Sequence, residues 1–457
     1  RKDMDKYLSR SIDQALLEWK DNPRRKPLLV RGARQVGKSS TIRHLGKNFK
    51  YFLEVNVERN PEVMEFFKGS RDVKSIAAKL SDFFNVPVVP GETLLFLDEI
   101  QKCEDVIHSL WFFKEDYPEL HVIAAGSLLE FALKNLSSFG VGRVSSLFVY
   151  PMSFDEFLTA TRQEGLLRIK RNSSPTNPLL EAFYNRLVEA FRSYMLVGGM
   201  PEAVATYTET GSYRYSSDIV NEIIQGYQDD FAKYGAKANP LLLRQTLISV
   251  AHQAGAKFVC SRVEGQYRSA EVKVALEMLK DAGLIIPTYH TDANGVPLGA
   301  EINERVVKYL IHDTGVLLGI LGIDDDIDER IKEMMVADSI DLVDKGHVAG
   351  MMAGLELIKY SSPQTRHQLY YWQNMNKGTC AEVDYVIARS GSIVPIEVKS
   401  GVKGSMSSMY SLMRNPQKHI EMGIRCSLEN FGTFASPDGK KIDIIPLYAI
   451  SNLFAEK

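Results

Sequence analysis

Residues 27–40, PLLVRGARQVGKSS, decide how this chain is read. Leu28, Leu29 and Val30 form an apolar run suited to a short buried strand, a glycine-bounded loop follows, and a helix begins near Gly37. Gly32 and Gly37 bracket four residues and Lys38 and Ser39 follow at once, so the P-loop pattern G-x-x-x-x-G-K-[ST] is complete. Such a loop curls its backbone N–H groups around a phosphate chain, and glycine supplies the backbone angles and close approach this needs. The expected phosphate-binding residues are Gly32, Ala33, Arg34, Gln35, Val36, Gly37, Lys38, Ser39 and Ser40. Lys38 would bring a charge to the β/γ-phosphates, Ser39 a hydroxyl to Mg²⁺, and the helix its positive N-terminal end.

A second site is expected if the first is real. Residues 93–101, TLLFLDEIQ, read as an apolar strand ending in Asp98 and Glu99. An acid at the end of a buried strand is costly unless it has a use. In a parallel sheet Asp98 would lie beside the loop and hold Mg²⁺ through water, while Glu99 would polarise the attacking water.

Composition narrows the class. The chain has 457 residues, 45% apolar and 25% charged, ordinary globular values that leave room for two to four domains. A net charge of −2 excludes a uniformly basic protein but not a local nucleic-acid face. The four cysteines, Cys103, Cys260, Cys380 and Cys426, form no C-x-x-C pair, which suggests a reducing compartment without a disulfide framework or zinc site. No apolar run approaches ~18 residues, so no membrane partner is expected and the cytoplasm is the default location.

In chain order, residues 4–20 read as an amphipathic helix, 51–58 as a strand, 106–113 as a helix, 120–125 as an apolar strand and 147–150 as a fifth strand. Strands alternating with helices imply right-handed crossovers and a parallel sheet. Ser127 follows the strand after Asp98, where it would sense the γ-phosphate or cap the next helix, two compatible roles. Arg143, in GVGRVSS, would reach a phosphate in its own or a neighbouring subunit as an arginine finger, or remain a solvated or structural residue.

GARQVGKSS, LLFLDEIQ, AAGSLLE, GR followed by YPMSFDEFL, and GGMPEAV occur in that order. Together they resemble a large family of prokaryotic AAA-type ATPases, similar to archaeal-type ATPases and relatives of the signal-transduction NTPases. In that family the ATPase is followed by a domain catalogued as of unknown function. The resemblance implies ATP as ligand and a role for Gly199–Met200–Pro201 against the nucleotide, with Pro201 starting the next helix. A simple turn between helices is the local alternative.

Residues 165–178 read as an exposed loop whose RIKR run is a small solvated basic patch. Residues 241–286 suggest helix, helix, strand, then a turn at 292–295 and a further strand, an order like a winged helix. Such a module puts its second helix into a DNA groove or transmits nucleotide state. Here Glu271, Glu277 and Asp281 offset Lys273 and Lys280 on that helix, so it presents no basic face.

AEVDYVI (381–387) and IVPIEVK (393–399) read as strands across a Ser-Gly turn. Alternation puts Glu382 with Asp384 on one face, and Glu397 with Lys399. An acid, a hairpin and E-x-K resemble the core of the PD-(D/E)xK restriction-endonuclease-like fold. That likeness implies Asp384 and Glu397 on a divalent metal and Lys399 near the attacking water. A charged surface hairpin is the plainer reading. Relatives carry a helix glutamate in a G-x-x-x-E pattern. Here 345–357 reads KGHVAGMMAGLEL, Gly350 stands at that position, and Glu356 lies roughly 240° around the helix from it. Glu382 is a substitute from the strand.

The expected architecture is α/β: a P-loop NTPase parallel sheet (1–205), a helical and winged-helix-like module (206–311) and a restriction-endonuclease-like domain (312–457). The expected function is ATP hydrolysis with Mg²⁺, with Lys38, Glu99 and Arg143 as catalytic residues and Ser39 and Asp98 at the metal. The back half would bind or act on DNA, with a second divalent metal in its nuclease-like part. The alternative is a nucleotide-dependent switch or protein-interaction module with an inactive nuclease-like domain. A protein partner and an oligomer are compatible with either.

Overall fold

Five apolar runs make the first sheet: β1 (Leu28–Arg31), β2 (Tyr51–Asn56), β3 (Thr93–Asp98), β4 (His121–Ala125) and β5 (Ser145–Phe148). The structure is a computed structural model that describes residues 7–135, 142–234, 239–322, 348–374 and 381–455. The strand order is β2-β3-β4-β1-β5 and every pairing is parallel. Every residue of β3 and of β4 is buried, because helices cover both faces of the sheet and leave no solvated side to alternate with. Leu95, Leu97, Ile76, Leu80, Ile107 and Phe113 belong to the core on one face. The loop after β1 runs into the helix Lys38–Gly46, and β1 lies between β4 and β5. The loop therefore emerges at the carboxyl ends of the strands, where open α/β sheets bind ligands.

This sheet belongs to a unit of Arg1–Tyr150 with Asp281–Gly283 and Ser362–Arg366. The second unit comprises Pro151–Lys280, Leu284–Ser361 and His367–Lys457. The first unit thus closes at Tyr150, and residues 151–205, expected with the ATPase domain, fall in the second. Nor do 206–311 and 312–457 separate, because a strand from each side of that boundary pairs in one sheet.

That sheet has four strands, in the order β7 (Ile302–Ile311), β6 (Ile285–Thr291), β8 (Leu369–Gln373) and β9 (Glu382–Val383). The helices Pro240–His252 and Ser269–Asp281 precede the antiparallel β6–β7 hairpin, as expected. The hairpin is not a free wing, since β6 also pairs in parallel with β8. Thr288, His290 and Thr291 of β6 are accordingly buried. A five-stranded sheet follows in the order β10 (Tyr385–Arg389), β11 (Ser392–Val398), β12 (Met422–Cys426), β14 (Lys441–Ile444) and β13 (Gly432–Ala435). It is mixed: β10 is antiparallel to β11, and β12 is parallel to it.

The expected loop at 165–178 is corrected over 165–171, while 172–178 lie outside any helix or strand. Glu164–Arg171 is a helix with Leu166, Leu167 and Lys170 buried. Spacings of three and four residues put these side chains on one face. Lys170 is fully buried, 2.6 Å from Asp155, so of the RIKR cations only Arg168 and Arg171 are exposed. No helix among the described residues is long and apolar enough to cross a membrane.

Candidate functional site

The loop after β1 holds three residues at positive φ: Gly32 at 145°, Gln35 at 65° and Gly37 at 94°. At Gly32 glycine is required twice over, since a Cβ there would also lie 2.2 Å from the Val149 carbonyl oxygen. Ala33 and Val36 turn inward and are buried, while Arg34, Gln35 and Ser40 are exposed. A residue that the sequence reading passed over, Arg10, supports the loop from behind. Its Nη1 donates to the Val36 carbonyl at 2.9 Å and its Nη2 to that of Tyr150 at 2.7 Å. No motif marks Arg10, because its partners are distant in sequence.

Lys38 opens the helix, and its Nζ donates to the carbonyls of Gly32 at 2.9 Å and Ala33 at 2.6 Å. Burial pushes its ammonium down to about 8, against the pull of Glu99 and Asp98. The cation is thus desolvated and held by neutral carbonyls, an arrangement that a phosphate chain would improve.

Asp98 meets this loop. Ser39 Oγ donates to its Oδ2 at 3.3 Å, Asn56 Nδ2 to the same oxygen at 3.4 Å, and the Glu99 N–H to Oδ1 at 3.0 Å. Burial first, then the neighbouring Glu99, raises the Asp98 carboxyl above its usual range. A buried carboxylate beside a hydroxyl, with only neutral donors on it, suits a divalent cation. Asn56, one strand over in register with Asp98, is a further residue that sequence reasoning missed.

Glu99 adopts a left-handed φ of 54° just past β3. Ser127 Oγ donates to its Oε2 at 3.0 Å, and the Gln101 amide donates to the same oxygen. Ser127 is thus brought to Glu99. Arg143 is held elsewhere: its guanidinium stacks 3.9 Å from the Trp111 ring centroid, and its Nε lies 3.4 Å from Glu115. Pro201 begins the helix Pro201–Thr210 in the second unit. The turn before it is fixed by the Gly199 N–H, which donates to Asp313 Oδ2 at 2.6 Å.

A second acidic cluster lies in the second unit. Asp384, between β9 and β10, accepts from the Val398 N–H at 2.8 Å. Lys399 Nζ donates to Glu397 Oε1 at 2.7 Å, whereas Glu397 Oε2 is buried with no partner among the described residues. Burial, then Asp384, pushes the Glu397 carboxyl up to about 7. Lys308 pairs with Glu382, so the substitute acid is already bound to a cation. Glu356 is buried elsewhere, accepting from the Phe154 N–H at 3.1 Å and the Tyr194 hydroxyl at 2.7 Å. Gly350 offers only its carbonyl, which accepts from the Tyr385 hydroxyl at 2.6 Å. Among the described residues no group of three or more His, Cys, Asp or Glu side chains gathers as a metal site.

Residues 24–158 match the family described as an AAA domain, and residues 188–327 and 345–450 each match a domain of unknown function. The match to the AAA domain runs past Tyr150 and supports a P-loop ATPase in residues 24–158. Among solved structures, a Walker-type ATPase of Pyrococcus abyssi is 17% identical, with a TM-score of 0.44, over 69% of this chain and 96% of that one. The ORC1 protein of Aeropyrum pernix, in complex with DNA, is 13% identical, with a TM-score of 0.30, over 72% and 96%. No curated protein matches the chain.

Proposed function

We propose that this protein hydrolyses ATP with Mg²⁺ at the loop 32–40 and couples nucleotide state to a second unit that binds or acts on DNA. One observation carries the reading: Ser39, Asp98, Glu99 and Ser127 form a continuous hydrogen-bonded line beside the N-terminus of the helix Lys38–Gly46. Backbone N–H groups of the loop and Lys38 would bind the phosphates. Ser39 and Asp98 would hold Mg²⁺, which supplies charge neutralisation at the phosphates when bound. Glu99 would accept the proton of the attacking water, and Ser127 would sense the terminal phosphate. Arg143 would act as a finger only after leaving Trp111 and Glu115. Contact of Pro201 with the nucleotide remains part of this proposal.

For the second unit, the order of two helices and the β6–β7 hairpin supports a winged-helix-like module. The β10–β11 hairpin and parallel β12 support a nuclease-like core around Asp384, Glu397 and Lys399. A second reading, a nucleotide-dependent switch with an inactive nuclease-like domain, is favoured by one observation. Gly350 supplies no carboxylate, and the acids present are paired with lysines or a backbone N–H.

The test incubates supercoiled plasmid with the protein, ATP and Mg²⁺ or Mn²⁺, beside a Lys399→Ala variant. Nicking lost in the variant supports a cleaving enzyme. DNA retention without nicking supports a binding role, and the absence of both nicking and retention favours the switch.

A further inference from the structure

The carboxylate of Glu99 is tied down by more than Ser127. The Gln101 amide donates to Glu99 Oε2 and also reaches Ser127 Oγ at 3.4 Å. A side-chain amide carries two N–H donors, so one group bridges both partners. Its other end sits in a space made for it. Gln101 Oε1 is buried with no hydrogen-bond partner among the described residues, and a Cβ on Gly126 would come within 2.1 Å of it. Gly126 has no positive φ, so the room it leaves, rather than its backbone freedom, is what glycine supplies here.

We propose that Gln101 is a positioning residue for ATP hydrolysis, locking Glu99 against Ser127 so that the second carboxylate oxygen of Glu99 is presented to the attacking water. The inference rests on the reading of Glu99 as base. Two geometric facts support it. Glu99 holds a left-handed φ of 54°, a conformation that persists only where its surroundings hold it. Ser127 has a single proton to donate. A terminal phosphate would compete with Glu99 for that proton, and the amide of Gln101 would then hold the base in place.

The test measures single-turnover ATP hydrolysis and, separately, affinity for a non-hydrolysable ATP analogue. Gln101→Leu lowers the turnover rate about tenfold to a hundredfold while analogue affinity stays within about twofold, since a misplaced base costs rate without costing phosphate contacts. Gly126→Ala, whose methyl would displace Gln101, gives a smaller loss of the same kind. The double variant turns over as slowly as Gln101→Leu alone, because both changes break one contact. If Gln101→Leu does not fold, Gly126→Ala decides by the same split of rate and affinity.

Wild-type turnover in Gln101→Leu, or parallel losses of rate and affinity, would overturn the proposal. So would additive effects in the double variant. Glu99→Gln separates the two levels. Full turnover in that variant removes the base assignment and the proposal with it. Lost turnover in Glu99→Gln beside wild-type turnover in Gln101→Leu removes only the role of Gln101.

Discussion

Asp98, closing β3, and Glu397, next to last in β11, are each 6% exposed, yet the two acids have different kinds of partner. Asp98 receives a hydroxyl, a side-chain amide and a backbone N–H, all neutral donors, while Lys38 close by turns to loop carbonyls. Glu397 has Lys399 bonded to it, and Glu382 nearby has Lys308. Among the described residues the first site leaves a buried cation and a buried acid without an ion pair between them, an arrangement that a phosphate and a metal would improve. The second neutralises much of its own charge. Burial of a carboxylate alone therefore does not mark a working site; what marks it is the kind of partner the protein supplies.

The largest test of this contrast is Glu99→Gln. Phosphate-release assays are expected to show turnover reduced by about 10²–10⁴-fold with nucleotide binding retained. Undiminished turnover would remove the base from the first site and erase the contrast.

Next comes Lys170→Ala in the second unit. It strips the buried partner from Asp155, and denaturant unfolding should register a loss of about 3–5 kcal/mol. A loss below about 1 kcal/mol would mean that self-neutralised pairs do not stabilise that unit.

A smaller, graded effect is expected from pH. The charged form of Lys38 binds phosphate, and burial holds its free-state value at about 8. Nucleotide affinity should therefore be level below pH 8 and fall about tenfold per pH unit above it, until the raised value of the bound state is reached. Calorimetric titrations giving a flat profile to pH 10 would show that the ammonium is not desolvated as described.

The smallest effect is expected for Lys399→Ala in the plasmid assay if the self-neutralised cluster is inactive: nicking at background before and after the change. Wild-type nicking that the variant loses would show that this cluster, too, is a working site.

Much of the first site was legible because its information is local. The spacing in 27–40 and the acids at 98 and 99 sit within single strand-to-loop transitions, and the parallel sheet followed from alternating elements. Gln101 was in plain view two positions after Glu99, but its role depends on the space left by Gly126 on another strand end. Lys170 looked solvated because its run is basic. The partner that permits its burial, Asp155, lies on the separate helix Phe154–Ala160. The pairing of β6 with β8 links residues about eighty positions apart, beyond the reach of hairpin signals. Distant partners, not obscure chemistry, account for what the chain concealed.

The central claim is that the loop 32–40 grips a polyphosphate through Lys38 and its own N–H groups. Isothermal titration of ATP with Mg²⁺ into the wild type and Lys38→Ala tests it directly. Losing two or more charge-assisted hydrogen bonds, about 3 kcal/mol or more, should weaken binding at least about a hundredfold. Equal affinity in the two proteins would contradict the account.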